Sequence, residues 1–110
     1  METKEFERAK IFSLGETIKY SEGAVVSKTV TKRAEGTVTL FAFDKDQGLS
    51  EHTAPFDAQI HVIDGTATIY IDRKPYLLNK DDFIVMPANI SHAVEATSRF
   101  KMILTMIKSK

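Results

Sequence analysis

Short apolar or β-branched runs alternate with turn signals from residue 23 to residue 107, and this alternation is the strongest constraint on the fold. No window of helical length in this region keeps a 3.6-residue hydrophobic period. The pattern therefore predicts an all-β chain. The expected strands are residues 24–31, 37–43, 58–63, 66–72, 83–86, 92–96 and 100–107, with a shorter strand at residues 50–52.

Three turn signals separate the later strands. Asp64-Gly65 lies between two apolar runs, and Asp-Gly is favoured in two-residue hairpin loops because both positions adopt positive φ. We therefore predict a hairpin at this pair. Residues 73–75 (Arg-Lys-Pro) predict the next turn, and residues 79–82 (Asn-Lys-Asp-Asp) predict the one after it.

Some predicted strands carry apolar residues on both faces. In the last strand Phe100, Met102 and Leu104 share one face, while Ile103 and Ile107 lie on the other. A closed or sandwiched barrel buries the first face, and a second molecule or an N-terminal arm is expected to cover the other. The 110 residues fit one domain, which we divide into an arm at 1–22 that packs on the barrel and a barrel at 23–110.

Composition and charge exclude several classes of protein. Fifteen basic and fifteen acidic side chains are interspersed, so we expect neither nucleic acid nor a membrane surface as a partner. The N-terminal residues contain no apolar stretch of the kind that a signal peptide needs, so a cytoplasmic location is expected. Because the chain has no cysteine, any metal site is limited to histidine, carboxylate, amide or water ligands.

Two histidines stand within short frames of turn residues. His52 is followed by a segment that leads to Gly65, and His92 closes a segment that begins at Met86-Pro87. In these two frames the sequence resembles the cupin superfamily, whose two motifs share this order and spacing of residues. Pro87 and His92 match the second motif, and His52 and Gly65 match the first.

Several motif positions depart from the cupin pattern. In the second motif Asp81 and Asn89 replace glycines, and Ala96 replaces the closing asparagine. Asparagine is a mild replacement because it also tolerates positive φ. In the first motif Ala54 replaces a histidine, and the acidic position holds either Ala58 or Gln59, depending on the spacing used.

The resemblance covers about residues 37 to 107 and implies a double-stranded β-helix, also called a jelly roll. It is similar to the small single-domain cupins, which commonly form homodimers. The resemblance implies that His52 and His92 approach each other in the barrel, where they are candidate metal ligands. A site of two histidines alone would bind a divalent metal ion weakly, or the pair would form only a polar corner without metal.

Gln59 is a third candidate ligand only if it faces the pocket. A one-residue change of register exchanges the two faces of a strand. With Ala58 inward, Ile60 also faces inward and the interior is more apolar, which favours this register. The predicted pocket residues are His52, Ala54, Ala58, Ile60, Met86, His92, Phe41 and Met102.

The sequence leads to one main functional hypothesis and two alternatives. The small Ala54 and Ala58 side chains favour the binding of a small organic ligand, with a weak metal site or none. The first alternative is a divalent-metal-dependent enzyme, similar to cupin dioxygenases or isomerases, that uses His52, His92 and Gln59. The second is an interaction module whose outer apolar face binds another protein. No reaction can be named from these residues.

Overall fold

The computed structural model describes residues 5–108, which contain one helical turn and nine strands. The predicted arm at 1–22 and barrel at 23–110 therefore extend four and two residues beyond the described part of the chain. No helix within residues 5–108 is long and apolar enough to cross a membrane. The elements are α1 (Leu14–Thr17), β1 (Val25–Arg33), β2 (Gly36–Phe43), β3 (Gly48–His52), β4 (Phe56–Gly65), β5 (Ala67–Ile71), β6 (Lys74–Leu78), β7 (Phe83–Met86), β8 (His92–Glu95) and β9 (Phe100–Lys108).

The strands form two facing antiparallel sheets. The larger sheet has five strands in the order β1-β2-β9-β4-β7, and the smaller has four in the order β3-β8-β5-β6. The chain crosses repeatedly from one sheet to the other, which is the connectivity of a double-stranded β-helix. The all-β prediction and the predicted jelly roll are confirmed.

The main core lies between the two sheets. Along β4, Ala58, Ile60 and Val62 are buried, as expected when alternate residues of a strand face the same side. Phe43 of β2 stacks on Phe100 of β9 with ring centroids 4.5 Å apart. The other buried members of this core are Ala67, Ile69, Leu78, Met86, Val94, Ala96 and Met102.

The N-terminal segment packs on the outer face of the larger sheet. Ile18 is fully buried there with Leu40 and Ala42 of β2. The Lys101 ammonium group donates a hydrogen bond to the Gly15 carbonyl (2.6 Å). The Tyr20 hydroxyl donates one to Asp64 (2.6 Å). This segment therefore covers part of the outer face of the larger sheet.

The hairpin predicted at Asp64-Gly65 is wrong. Gly65 ends β4 in the larger sheet, where it pairs with Phe100, whereas β5 lies in the smaller sheet. Gly65 has positive φ (+74°), but Asp64 does not belong to the positive-φ residues, so the pair lacks the geometry of a two-residue hairpin loop. At this point the chain crosses between the sheets instead of folding back on itself.

The two-residue hairpin occurs at Asp72-Arg73, where φ is 50° and 65°. It joins β5 to β6, so the turn predicted at residues 73–75 lies one residue earlier, and Lys74 and Pro75 begin a strand. Since β6 is an edge strand, it tolerates a residue that has no N–H to donate. The turn predicted at residues 79–82 is confirmed by a hydrogen bond from the Asp82 amide to the Asn79 carbonyl (2.9 Å).

Candidate functional site

The two motif histidines meet at the end of the smaller sheet. β3 and β8 are neighbours, and His52 and His92 are direct partners in their register. The two Nε2 atoms are 3.1 Å apart, and the ring planes are inclined at 70°. The sheet itself therefore brings together two ring nitrogens from residues 40 positions apart in the sequence.

Each histidine also contacts a backbone carbonyl two residues before it through Nδ1. The distance is 2.7 Å from His52 to the Ser50 oxygen and 3.3 Å from His92 to the Ile90 oxygen. With the Nε2–Nε2 contact, the pair makes three polar contacts. Each contact joins two atoms that carry lone pairs, so each needs one proton between them to be a hydrogen bond. Two neutral imidazoles carry only two N–H groups. The pair is therefore one proton short of satisfying all three contacts.

Burial makes it costly to supply this missing proton at His92. His92 is buried, whereas His52 is exposed at the rim. Burial lowers the pKa of His92, the Ile90 carbonyl opposes this shift, and the neighbouring His52 lowers the pKa further. The neutral form of His92 is therefore favoured, and the space between the two Nε2 atoms attracts an electron-pair acceptor from outside the pair.

The segments that carry the two histidines are tied to each other. The Asn89 amide donates a hydrogen bond to the Ala54 carbonyl (2.8 Å), and the Ala88 amide donates one to the Asp57 carboxylate (2.9 Å). The Asp57 carboxylate therefore binds the backbone of the segment that leads to His92. Asn89 has φ +66° and Asp81 has φ +75°, so both replacements of motif glycines adopt the left-handed region.

Four of the predicted pocket residues lie in the packed core. Ile60 and Met102 have no accessible surface, and Ala58 and Met86 have almost none. A side chain without accessible surface cannot line a solvent-filled cavity, so Ile60 and Met102 do not line a pocket in this structure. Phe41 is partly buried and packs against the same core, and Ala54 is partly buried in the loop after His52.

Gln59 lies on the opposite face of β4 from the buried Ala58. Its neighbours on that outer face are Val85 of β7 and Thr105 of β9. The structure therefore has Ala58 facing inward, the register that the sequence favours, and does not bring Gln59 to the two histidines. The physical reason is the period of two in a strand whose apolar face is needed by the core.

An open cleft of about 520 Å³ gives access to His52 from solvent. Arg73 forms an ion pair with Glu51 across this cleft (3.2 Å), which lowers the pKa of the Glu51 carboxyl through the hydrogen bond and the charge of Arg73. The lining residues are Glu51, His52, Thr53, Asp72, Arg73 and Ser91. Arg73 and Asp72 were not predicted as site residues. They reach the cleft because β5 pairs with β8, where Ile71 is the partner of His92, and no local signal in the sequence indicates that pairing.

The histidine pair fits a two-ligand metal site, although it does not fit a complete one. With metal–nitrogen bonds of about 2.0–2.1 Å, two ligands of one ion lie about 2.9–3.4 Å apart, a range that includes the observed 3.1 Å. Each Nδ1 contacts a carbonyl, as is usual for a metal-ligating histidine. Within residues 5–108, however, no group of three histidine, cysteine or acidic side chains is arranged to hold an ion.

Comparison with known proteins gives close structural relatives. A conserved protein of unknown function from Streptococcus pyogenes is 32% identical with a TM-score of 0.92, and the match covers 100% of this chain and 96% of that one. A cupin 2 conserved barrel domain protein from Leptotrichia buccalis is 42% identical with a TM-score of 0.85. That match covers 88% of this chain but 47% of the Leptotrichia chain, so this chain spans about half of that protein's length.

A third structure, a cupin superfamily protein from Desulfitobacterium hafniense, supports the fold alone. It is 24% identical, has a TM-score of 0.89, and the match covers 99% of this chain and 100% of that one. A comparison with curated proteins gives no match. The family model described as the cupin domain matches residues 39–108, which include both histidine segments. The chain therefore belongs to the cupin domain family.

Proposed function

We propose that this cupin binds a small organic ligand at the His52–His92 pair, and that a divalent metal ion is held there only weakly. One observation carries the proposal. Three polar contacts converge on two imidazoles that supply only two protons when both are neutral. The unfilled contact lies between the two Nε2 atoms, where a ligand N–H or O–H group can be accepted.

The surroundings of the pair favour a polar ligand that enters at the rim. His52 is exposed in an open cleft, whereas the interior beyond His92 is filled by core side chains such as Ile60 and Met102. The cleft also presents both charges of the Arg73–Glu51 ion pair. Because exposed ion pairs contribute little to stability, a ligand group can exchange with either partner at small cost.

A divalent-metal-dependent enzyme is the second candidate. The observation that favours it is the orientation of both rings by carbonyls at Nδ1, which leaves both Nε2 atoms directed toward each other. A bound ion would polarise a ligand oxygen as a Lewis acid. His52 and His92 would hold this ion, and water or ligand would complete its coordination. Catalytic metal sites usually have three protein ligands, so two histidines support weak binding better than a resident ion.

Metal analysis combined with native mass spectrometry of the purified chain tests the proposal. We expect an organic mass, or binding from a panel of small polar molecules, in the unaltered protein. We expect its loss in the His52→Ala, His92→Ala double variant. The His61→Ala variant is the matched control, because this third histidine lies on the outer face of β4 near Phe83 and away from the pair. It should bind as the unaltered protein does.

The same experiment distinguishes the two candidates. Weak binding predicts that a chelator removes any metal and leaves the organic ligand bound. Near-stoichiometric metal that resists the chelator and disappears in the double variant would favour the metalloenzyme instead. Equal binding of organic molecules by the double variant and the unaltered protein would contradict both.

A further inference from the structure

The N-terminal segment is attached at two points to β1, which is an edge strand of the larger sheet. At one point the Phe6 amide donates a hydrogen bond to the Val30 carbonyl (3.3 Å). At the other, the Lys28 ammonium group donates one to the Thr17 carbonyl (2.7 Å). A turn at residues 8–9 lies between the two points. The segment therefore arches over the edge of β1 and leaves a space beneath it.

This space is a solvent-accessible cavity of about 490 Å³, which we call the N-terminal cavity. Residues between positions 5 and 17 of the N-terminal segment line one side, and residues 27–29 of β1 line the other. Its volume lies within the range of about 300–1,000 Å³ that is usual for small-molecule sites. It shares no lining residue with the cleft at His52, which belongs to the smaller sheet. The N-terminal cavity is therefore separate from the histidine pair.

Two phenylalanines form an aromatic wall in the N-terminal cavity. The rings of Phe6 and Phe12 pack with their centroids 4.7 Å apart and their planes inclined at 48°. Both side chains are only partly buried, so part of each remains accessible to a ligand. Aromatic rings attract one another in tilted or offset contacts beyond the gain from buried area alone. The wall therefore favours a ligand with a flat aromatic body.

The N-terminal cavity also presents two ammonium groups. Lys10 Nζ lies 5.3 Å from the centroid of the Phe12 ring, so this charge stands directly at the aromatic wall. Lys28 Nζ donates one hydrogen bond to a neutral carbonyl and keeps two further N–H groups. Within residues 5–108 neither lysine forms an ion pair with a carboxylate. Both cations are therefore available to an anion bound in the cavity.

The two carboxylates at the N-terminal cavity offset these cations only in part. Glu5 forms ion pairs with Arg8 (2.6 Å) and with Arg33 (3.0 Å), so two guanidinium groups compensate its charge. Glu7 is exposed and has no ion pair in the described part of the chain. The two lysines and two arginines together outnumber the two carboxylates. The cavity and its border therefore carry a net positive charge, which favours an anionic ligand.

We propose that the N-terminal cavity binds a small aromatic carboxylate, whose ring packs on the phenylalanine wall and whose carboxylate pairs with Lys10 and Lys28. The cations stand beside the wall, as a ligand with one flat apolar end and one anionic end requires. The hydroxyl groups of Ser27 and Thr29 belong to the same lining and can donate to the carboxylate oxygens. Such a ligand contacts both the N-terminal segment and β1, and so holds them together.

Isothermal titration calorimetry of the whole chain with 2-naphthoate as the probe tests this site. We expect 2-naphthoate to bind, and 2-naphthamide, which has the same rings without the charge, to bind about tenfold more weakly or less. Lys10→Gln should weaken 2-naphthoate binding by about tenfold, because one charge-assisted contact is lost. Lys19→Gln is the matched control, because Lys19 is an exposed lysine of the same segment that does not line the cavity. It should leave the affinity unchanged.

Two further variants test the charge of the cavity and the location of the bound probe. Glu7→Gln removes the unpaired carboxylate and should tighten 2-naphthoate binding by about twofold to fivefold, a gain that a damaged fold cannot produce. The folded His52→Ala, His92→Ala variant should bind 2-naphthoate as the unaltered chain does, because the cavity shares no residue with the histidine pair. Unaltered circular dichroism would show that each variant folds.

Three results would overturn the proposal. The first is the absence of 2-naphthoate binding by the unaltered chain at millimolar concentration. The second is equal affinity of the Lys10→Gln variant and the unaltered chain for 2-naphthoate, or equal affinity of the unaltered chain for 2-naphthamide and 2-naphthoate. The third is loss of 2-naphthoate binding in the folded double histidine variant, which would place the probe at the histidine pair instead.

Discussion

Gly65, which closes the first histidine motif, should be the glycine least tolerant of substitution. Two separate features oppose a side chain there. Its φ of +74° lies in the left-handed region, and a Cβ would collide with the Arg99 carbonyl and approach the Phe100 backbone. The first feature should cost about 1–2 kcal/mol in Gly65→Ala. The second requires β4 and β9 to separate where Gly65 pairs with Phe100.

The separation has a cost that can be estimated from the contacts of Phe100. Loss of one backbone hydrogen bond costs about 1 kcal/mol. Phe100 is fully buried and stacks on Phe43, so its partial displacement should cost about 1–2 kcal/mol, a fraction of the 3–5 kcal/mol for complete removal of a buried aromatic ring. We therefore expect Gly65→Ala to lower the free energy of unfolding by about 3–5 kcal/mol in total.

Three other glycines separate the two contributions. Gly23→Ala carries positive φ (+68°) without a collision and should cost about 1–2 kcal/mol. Gly48→Ala meets the Val94 carbonyl without positive φ, and the edge strand β3 should shift at a cost of about 1–2 kcal/mol. Gly15→Ala has neither problem and should be neutral or stabilise by up to about 1 kcal/mol.

Urea unfolding followed by circular dichroism measures all four variants on one scale. The comparison is sound if the dependence of the unfolding free energy on urea stays constant across the series. The reasoning would be refuted if Gly65→Ala cost no more than Gly23→Ala. That result would mean that β4 and β9 accommodate a methyl group at this position without separating.

Three further predictions concern the pH dependence, the N-terminal segment and the core. Burial lowers the pKa of His92, so stability should be greatest above about pH 6.5, the ordinary histidine value, and fall as the pH drops toward the lower folded pKa. Urea unfolding from pH 8 to pH 5 should show this slope, and His92→Gln should reduce it. Tyr20→Phe removes the hydrogen bond to Asp64 and should lower stability by about 1–3 kcal/mol, with faster amide exchange near α1; Tyr70→Phe, which removes an exposed hydrogen bond to Glu95, is its control. Ile60→Ala should lower stability by about 2–5 kcal/mol, measured by the same unfolding assay, without weakening ligand binding at the histidine pair.

Local patterns in the sequence predicted the β class and most strands because alternation reports which face of a strand is buried. Ala58, Ile60 and Val62 illustrate this, since they form the buried face of β4. The contact between His52 and His92 depends on two strands that are neighbours only in the folded sheet. The spacing of residues along the chain cannot predict which strands pair. The expectation that His52 and His92 approach each other came from the resemblance to cupins.

Turn residues were less informative, because they indicate backbone angles but not the sheet to which the next strand belongs. Asp64-Gly65 satisfies a hairpin preference, yet Gly65 uses its positive φ to end a strand that remains paired with β9. Pro75 indicated a turn, yet it lies in an edge strand next to the Asp72-Arg73 hairpin. This hairpin forms one wall of the cleft at His52 because β5 pairs with β8, and that non-local pairing is why Arg73 was not predicted as a site residue.

The histidine pair lies on the smaller sheet, and its separation from the outer side of the larger sheet has a measurable consequence. The histidine pair belongs to β3 and β8 of the smaller sheet, whereas Phe83 lies on the outer side of the larger sheet. The packed core between them contains fully buried side chains such as Ile60 and Met102. The folded Phe83→Lys variant should therefore bind ligand at the histidine pair as the unaltered protein does, whereas the double histidine variant should bind none. If Phe83→Lys weakened ligand binding while the protein stayed folded, the outer side of the larger sheet would be coupled to the histidine pair through the core, and the independence argued from the sheet topology would be wrong.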